Sequence, residues 1–261
     1  MQVLTRPWGA LHYRCDGAPG GPVVVFANSL GTDLRLWDAL LPHLSPGLRV
    51  VRFDTPGHGL SALDPAMTIA SVARDVVAVL DHLGIGPAVM VGLSMGGLIA
   101  QQIAAARPDR IAALVISNSA ARIGTADTWA ARIDAVRGQG LASIAGPVLE
   151  RWFAPAFRAT PDLALWRAML TRTDPAGYIA ACTALAAADL TAQTATLRLP
   201  TLCIAGALDG STPPDLVRAT AALIPGAAFQ VIDGVGHLPC VETPLAYAAL
   251  LNPFLERHCH V

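Results

Sequence analysis

The sequence predicts an α/β fold in which a mostly parallel, doubly wound sheet carries one helical insertion. Two observations predict this class. Short apolar runs alternate with helix-length segments over residues 1–118 and 199–261, as in folds built from strand–helix–strand units. Residues 119–198 contain no β-branched run of strand length, and helix-like segments fill this stretch. We therefore expect a core of residues 1–118 and 199–261, with residues 119–198 inserted as a helical cap, or lid.

Eight strands are expected in the core. They lie at residues 3–4, 11–14, 23–27, 50–53, in a run that begins at residue 89, and at 111–116, 201–205 and 229–232. Residues 23–27, with the sequence Val-Val-Val-Phe-Ala, are apolar throughout, which suits a strand buried on both faces of a parallel sheet.

Helices connect these strands. Thr68 can cap a helix whose apolar residues fall on one face from Ile69 to Leu83, and Gly84 is a stop signal. Other core helices are expected near residues 37–41, from residue 95 to about 107, and at 214–223 and 244–256. Within the insertion, helices are expected around residues 129–136, 144–152, 163–170 and 178–188.

Composition excludes several classes of function. The 261 residues carry a formal net charge of -1 with 14 % charged residues, so there is no basic footprint for nucleic acid. Every one of the 18 cationic Lys+Arg residues is arginine, which excludes Schiff-base chemistry and a P-loop lysine. No metal-ligand constellation or cofactor motif is present, so we expect neither a metal nor a cofactor.

The cysteines and the apolar runs indicate the compartment. The five cysteines are scattered without a C-x-x-C pair, which is typical of free thiols in a reducing compartment. No signal-like start and no run of 18 apolar residues occurs, so we expect a cytoplasmic protein without a membrane partner. The sequence leaves the oligomeric state open, a homo-oligomer included.

The most informative motif is Gly92-Leu93-Ser94-Met95-Gly96, which joins a predicted strand to a predicted helix. A G-x-S-x-G sequence at such a turn predicts a nucleophile elbow, in which a sharp turn lifts the serine oxygen clear of the sheet. A Cβ at Gly92 or Gly96 would clash with the neighbouring strand or helix. Ser94 is therefore the candidate nucleophile.

A serine nucleophile needs a histidine base and a carboxylate that orients it. For an elbow serine the expected chain order is serine, acid, histidine. Asp209 follows the strand at 201–205, and His237 lies in the loop after the last strand. Asp233 is a weaker rival that more often caps its own loop, and Asn118, at another position where an acid can lie, cannot serve as one.

The other histidines are interpreted as structural. His58 lies in a glycine-rich loop and is expected to be a hydrogen-bonding residue. The remainder are expected at edge, surface or tail positions: His12, His43, His82, His258 and His260.

An acyl-transfer serine also needs donors for the oxyanion. The backbone N–H of Met95, the residue after the nucleophile, is one expected donor, and the loop after the third strand supplies the second, for which we choose Leu30. Their side chains are then free to line the pocket.

Four stretches, the elbow among them, carry a family resemblance. They are Phe26-Ala27-Asn28-Ser29-Leu30-Gly31-Thr32-Asp33-Leu34-Arg35-Leu36-Trp37-Asp38, Gly92-Leu93-Ser94-Met95-Gly96-Gly97, Asn118-Ser119-Ala120-Ala121-Arg122-Ile123-Gly124 and Glu150-Arg151-Trp152-Phe153. With them the chain resembles the α/β-hydrolase superfamily over its whole length, and more narrowly the 3-oxoadipate enol-lactonases of bacterial aromatic-acid breakdown, the β-ketoadipate pathway. One departure is Pro56, where that family usually has arginine in Asp-Thr-Arg-Gly-His-Gly.

The resemblance implies a serine hydrolase that opens a small carboxylate-bearing enol-lactone through an acyl-enzyme. It also implies contacts from Ser29, Trp129 and Trp152 to the substrate. An arginine of the insertion is expected to bind the substrate carboxylate, and the sequence does not choose among Arg122, Arg132, Arg137, Arg151, Arg158, Arg167 and Arg172.

Two other classes of function stay open. The first is an esterase, perhydrolase or carbon–carbon bond hydrolase that uses the same triad. The second is a small-molecule receptor on a retired hydrolase scaffold. A complete triad favours an enzyme, because a receptor has no chemical need for all three residues.

Overall fold

Eight strands form one sheet in residues 1–259, the part of the chain that the computed structural model describes. The strands are β1 (Gln2–Arg6), β2 (Gly9–Gly17), β3 (Val23–Ala27), β4 (Arg49–Phe53), β5 (Ala88–Leu93), β6 (Ile111–Ser117), β7 (Thr201–Gly206) and β8 (Ala228–Ile232). Each predicted strand is present, and the largest difference in length is at β2, which extends beyond the predicted residues 11–14 in both directions.

The strand order is β1-β2-β4-β3-β5-β6-β7-β8. β2 pairs antiparallel with β1 and β4, and all other neighbours are parallel. The predicted mostly parallel, doubly wound α/β class is therefore confirmed. Because β5, β6 and β7 are parallel neighbours, their carboxyl ends meet at one edge, the usual place for a ligand site in such sheets.

Helices flank this sheet and extend from its edge. They are α1 (Ile69–His82), α2 (Met95–Ala106), α3 (Ala126–Gln139), α4 (Leu141–Trp152), α5 (Pro155–Arg158), α6 (Leu163–Thr171), α7 (Pro175–Ala187), α8 (Thr191–Thr194), α9 (Pro214–Leu223), α10 (Pro239–Glu242) and α11 (Pro244–His258). Short 3-10 turns occupy Leu34–Trp37, Leu41–His43 and Pro108–Arg110.

The start and end of α1 follow the local signals. The Thr68 hydroxyl accepts a hydrogen bond from the Ser71 amide at 3.0 Å, and the Ser71 hydroxyl accepts one from the Thr68 amide at 2.8 Å. This capping box satisfies two backbone donors that the first turn leaves free. Gly84 follows the helix with φ +62°, a conformation that glycine adopts at little cost.

Between β6 and β7 the described chain forms helices only, α3 to α8. α3 packs against α4 and α7, and α4 packs against α6. The four helical segments expected within the insertion coincide with α3, α4, α6 and α7. α5 and α8 were not predicted, because a four-residue helix is too short to produce a periodic pattern.

One expectation about the core is wrong. His12 was expected at an edge or surface position, but it is buried, and its Nδ1 lies 2.8 Å from Asp54 Oδ2. The reason is the sheet order: β1 takes the edge and β2 lies inside it, so this histidine pairs with the loop after β4. His260 lies outside the described residues.

Within residues 1–259, no helix is both long and apolar enough to cross a bilayer. All five cysteines are free thiols.

Candidate active site

Ser94 occupies a strained turn between the last residue of β5 and the first residue of α2. Its backbone angles are φ 57° and ψ −117°, a region that non-glycine residues rarely adopt. Neighbouring groups hold this conformation, since the Ser94 amide donates to Ser117 O at 3.0 Å and the Ser119 hydroxyl donates to Ser94 O at 2.6 Å. Backbone strain of this kind persists only where the surroundings enforce it, and it clusters at functional sites.

Two glycines let the turn form. A Cβ added to Gly92 would lie 2.2 Å from Gly96 O, and one added to Gly96 would lie 2.1 Å from Ala27 O in β3. The predicted steric reason for both glycines is confirmed, because the strand and the helix approach each other more closely than any side chain allows.

We expect Gly96→Ala to lower the free energy of unfolding by about 3 kcal/mol, because the new methyl group must displace the backbone of β3. Chemical denaturation measures this loss. Gly146→Ala is the matched control, since Gly146 lies inside α4 with open space around its Cβ position, and we expect this variant to be neutral or slightly stabilised. Equal stability of the two variants would contradict the account of the turn.

A buried contact between Asp209, which follows β7, and His237, which follows β8, is the second part of the site. Asp209 Oδ2 lies 2.8 Å from His237 Nδ1, and both side chains are almost fully buried. A carboxylate at this nitrogen favours the tautomer with the proton on Nδ1 and leaves Nε2 as the basic nitrogen.

Several donors surround the Asp209 carboxylate. Oδ2 also accepts hydrogen bonds from Asn118 Nδ2 at 2.9 Å and from the Thr212 hydroxyl at 2.8 Å, and Oδ1 accepts from the Ser211 and Thr212 amides. Burial alone would raise the pKa of Asp209, but the charge of His237 and these hydrogen bonds outweigh it and lower the pKa to about 2. Asp209 is therefore ionised throughout the neutral range.

Sequence reasoning considered Asn118 only as a possible acid and missed its hydrogen-bonding role in the site. It follows β6 with φ 45°, and its amide links Asp209 to Gly236 O at 3.3 Å, in the loop that carries His237. The signal was present in the sequence: a polar residue at the carboxyl end of a central strand, next to the strand that leads to Asp209.

Glu242 was also missed, because its partners are far away in sequence or on another element. Its two carboxylate oxygens accept hydrogen bonds from the amides of Gly236 at 2.7 Å and Ala154 at 2.9 Å. His237 N donates in turn to Trp152 O at 2.8 Å. The loop that carries His237 is thus bound to the end of α4, a helix of the insertion.

A cavity of about 450 Å³ lies where the insertion meets the carboxyl edge of the sheet. Six of the residues predicted for the site line it: Ser29, Leu30, Ser94, Trp129, Trp152 and His237. Asp209 is buried beside His237. The side chain of Met95, expected to be free for the pocket wall, is instead fully buried in the core.

Comparison with known proteins identifies the family to which this chain belongs. Residues 22–244 match the family model for the alpha/beta hydrolase fold. The chain belongs to the α/β-hydrolase family. This hydrolase is 34% identical over 258 residues to 3-oxoadipate enol-lactonase 1 of Acinetobacter baylyi, with 98% of this chain and 97% of the relative covered.

Solved structures agree with this assignment. The hydrolase superposes on the enol-lactonase from Burkholderia xenovorans LB400 with a TM-score of 0.94 and 36% identity, covering 98% of this chain and 100% of the other. A thermophilic esterase from Thermogutta terrifontis, solved with malate bound, gives a TM-score of 0.91 and 30% identity, with both chains covered at 100%.

Two arginines of the insertion also line the cavity of the hydrolase, Arg132 from α3 and Arg151 from α4. The Arg132 guanidinium lies over the Trp129 ring, 5.1 Å from its centroid. Burial lowers the pKa of Arg151, and the nearby charge of Arg132 lowers it further, although an arginine stays protonated at neutral pH. Among the described residues neither guanidinium is paired with a carboxylate.

Other candidate residues lie elsewhere. Arg122 pairs with Asp189 and Arg137 with Asp134, so these two arginines form ion pairs at the protein surface. Asp233 is exposed. His58 is fully buried with Nδ1 3.2 Å from Pro56 O, and burial lowers its pKa. His58 is not among the residues that line the cavity.

Proposed function

We propose that this hydrolase opens a small enol-lactone that carries a free carboxylate, with 3-oxoadipate enol-lactone as its substrate, through an acyl-enzyme on Ser94. The observation that carries the proposal is the pair Arg132 and Arg151, which have no carboxylate partner within residues 1–259 and line the same cavity as Ser94 and His237. The similarity to enol-lactonases over nearly the full chain supports the same substrate.

In the proposed mechanism, His237 Nε2 takes the proton of Ser94 as its oxygen attacks the lactone carbonyl. Asp209 stabilises the imidazolium that forms and keeps the ring in the correct orientation. Because Ser94 and His237 line one cavity, a bound lactone can contact both. The strained elbow reduces the reorganisation that the nucleophile needs before it attacks.

The negative charge on the attacked carbonyl oxygen needs donors, for which we propose the backbone N–H groups of Leu30 and Met95. Met95 is the first residue of α2, so its N–H is one of the four that a helix start leaves without an intrahelical acceptor. Leu30 lies in the loop after β3 and lines the cavity. A donor of this type typically contributes about 2.7–4 kcal/mol to the transition state.

Collapse of the tetrahedral intermediate breaks the ring C–O bond and expels an enolate, which takes the proton back from the His237 imidazolium. This enolate is a good leaving group because the resulting enol relaxes to a ketone. His237 then acts as general base for a water molecule that attacks the acyl-enzyme and releases the acid.

We propose that residues 119–198 form a cap on a core of residues 1–118 and 199–261, and that the cap selects the substrate. Trp129, Trp152 and both arginines of the cavity come from this segment, whereas Ser94 and His237 come from the core. Pro56 is buried and is not one of the lining residues, so the cations of this cavity come from the insertion and not from the position where relatives usually have arginine.

The test is a continuous ultraviolet assay with 3-oxoadipate enol-lactone generated in the cuvette. We expect kcat/KM for the lactone to exceed that for 4-nitrophenyl acetate by about 100-fold or more, because a neutral acetyl group cannot use the two arginines. Cleavage of 4-nitrophenyl acetate without turnover of the lactone would keep the hydrolase and discard the lactone as its substrate.

A further inference from the structure

The buried hydroxyl of Tyr178 is unused by the mechanism above. Tyr178 lies in α7, is fully buried, and lines the same cavity as Ser94 and His237. No described residue meets hydrogen-bond geometry with its hydroxyl, although the Arg132 guanidinium is close enough to interact with it. A guanidinium cannot accept a hydrogen bond, so the hydroxyl proton has no acceptor among the described residues, and a buried donor without an acceptor requires an explanation.

Close packing fixes the position of this side chain. A Cβ added to Gly31, the residue after Leu30, would lie 3.1 Å from Tyr178 Cε2, so the ring packs on the loop that holds the proposed oxyanion donor. The first turn of α7 is also held, because a Cβ on Gly57 would lie 2.4 Å from Gly177 Cα. The ring therefore has little freedom to move away from the cavity.

The charges around the hydroxyl indicate what it can bind. Burial raises the pKa of Tyr178 to about 12, and the guanidinium groups of Arg132 and Arg151 are near enough to oppose part of that rise. The hydroxyl thus stays protonated at neutral pH and lies near the two arginines that line the cavity. Guanidinium groups donate hydrogen bonds and accept none, so this cluster offers hydrogen-bond donors and two positive charges.

We propose that the Tyr178 hydroxyl donates a hydrogen bond to the free carboxylate of the substrate and, together with Arg132 and Arg151, selects anionic over neutral acyl groups. A carboxylate can accept several hydrogen bonds and carries a negative charge, so it is the group that these hydrogen-bond donors and positive charges fit best. The inference rests on the proposed function in that it takes the substrate to carry a carboxylate at this end of the cavity.

The test is Tyr178→Phe, which keeps the ring and removes only the hydroxyl. The substrates are the 4-nitrophenyl monoester of adipate and 4-nitrophenyl hexanoate, which share a leaving group and a six-carbon acyl chain and differ in the terminal charge. We expect kcat/KM for the adipate monoester to fall by about 10- to 100-fold, mainly through KM, because a hydrogen bond to a charged group is lost. For the hexanoate we expect a change of no more than about 2-fold. We expect the Tm to stay the same or rise, because the hydroxyl proton that is removed has no acceptor among residues 1–259 of the free enzyme.

Tyr247→Phe is the matched control. Tyr247 is also fully buried, and no described residue meets hydrogen-bond geometry with its hydroxyl. It does not line the cavity, so removal of this hydroxyl should leave the preference for the charged ester unchanged. The inference is overturned if Tyr178→Phe affects both esters equally, which is the result of a purely structural role. It is also overturned if neither ester is affected, which is the result if only water binds the hydroxyl.

These outcomes are independent of the natural substrate. A parent enzyme that prefers the adipate monoester through Tyr178 but leaves 3-oxoadipate enol-lactone untouched would contradict the proposed function and support this inference. If the parent turns over the lactone and Tyr178→Phe keeps the parent's preference for the adipate monoester, the proposed function is supported and this inference is overturned.

Discussion

Ser94→Ala is expected to lower kcat for ester and lactone hydrolysis by about 10⁴- to 10⁶-fold, because the variant has no oxygen at the elbow to form the acyl-enzyme. Residual hydrolysis would come from the oxyanion donors acting on a bound water. The turn itself should persist, since it depends on Gly92, Gly96 and the hydrogen bonds of the Ser94 backbone and not on the hydroxyl. Steady-state kinetics with 4-nitrophenyl acetate and the lactone, together with the Tm, measure both effects.

Ser211→Ala is the control for this variant. Ser211 also lines the cavity, and the structure assigns its side chain no part in the Asp209–His237 pair. We expect kcat to stay within a few-fold of the parent. If Ser94→Ala kept near-normal activity while Ser211→Ala lost it, the assignment of the nucleophile would be wrong.

Asp209→Asn is expected to lower kcat by about 10⁴-fold with little change in fold. The carboxylate accepts hydrogen bonds from His237, Asn118 and Thr212 through Oδ2 and from two backbone amides through Oδ1. An asparagine has only one acceptor oxygen, and when that oxygen faces the two amides, its NH2 group faces His237, which then loses the acceptor that keeps its proton on Nδ1. The measurement is the pH profile of kcat, in which the parent should show no loss from titration of Asp209 above about pH 4, because the pKa of that carboxyl is lowered to about 2.

The matched control for this second variant is Asp233→Asn. Asp233 is closer to His237 in sequence, but it is exposed. We expect this variant to keep the activity of the parent. A larger loss from Asp233→Asn than from Asp209→Asn would reverse the assignment of the acid.

The positions of the strands along the chain and the elbow could be predicted from the sequence because both depend on local signals. A run such as residues 23–27 is apolar whatever surrounds it, and Gly92 and Gly96 are required by contacts within one turn and one neighbouring strand. The chain order expected after an elbow serine narrows the search for a candidate acid and a candidate base to two loops, and Asp209 Oδ2 and His237 Nδ1 lie 2.8 Å apart in the structure.

The contacts that depend on packing between distant segments could not be predicted. The amide of Asn118 and the carboxylate of Asp209 are 91 residues apart, and Glu242 reaches an amide 88 residues away. Which arginine faces the cavity depends on how α3 and α4 pack against the other helices of the insertion, and the sequence carries no local signal for the rotation of each helix about its axis. For the same reason the burial of His12 against Asp54 was missed.

The central claim, that Ser94 is the nucleophile that a lactone reaches, is tested most directly by one labelling measurement. The parent enzyme is treated with a fluorophosphonate probe, with and without a steady excess of 3-oxoadipate enol-lactone, and the modified peptide is mapped by mass spectrometry. We predict modification at Ser94 and slower labelling in the presence of the lactone, because both compounds compete for one site. Modification at another residue, or a labelling rate that the lactone leaves unchanged, would contradict the account.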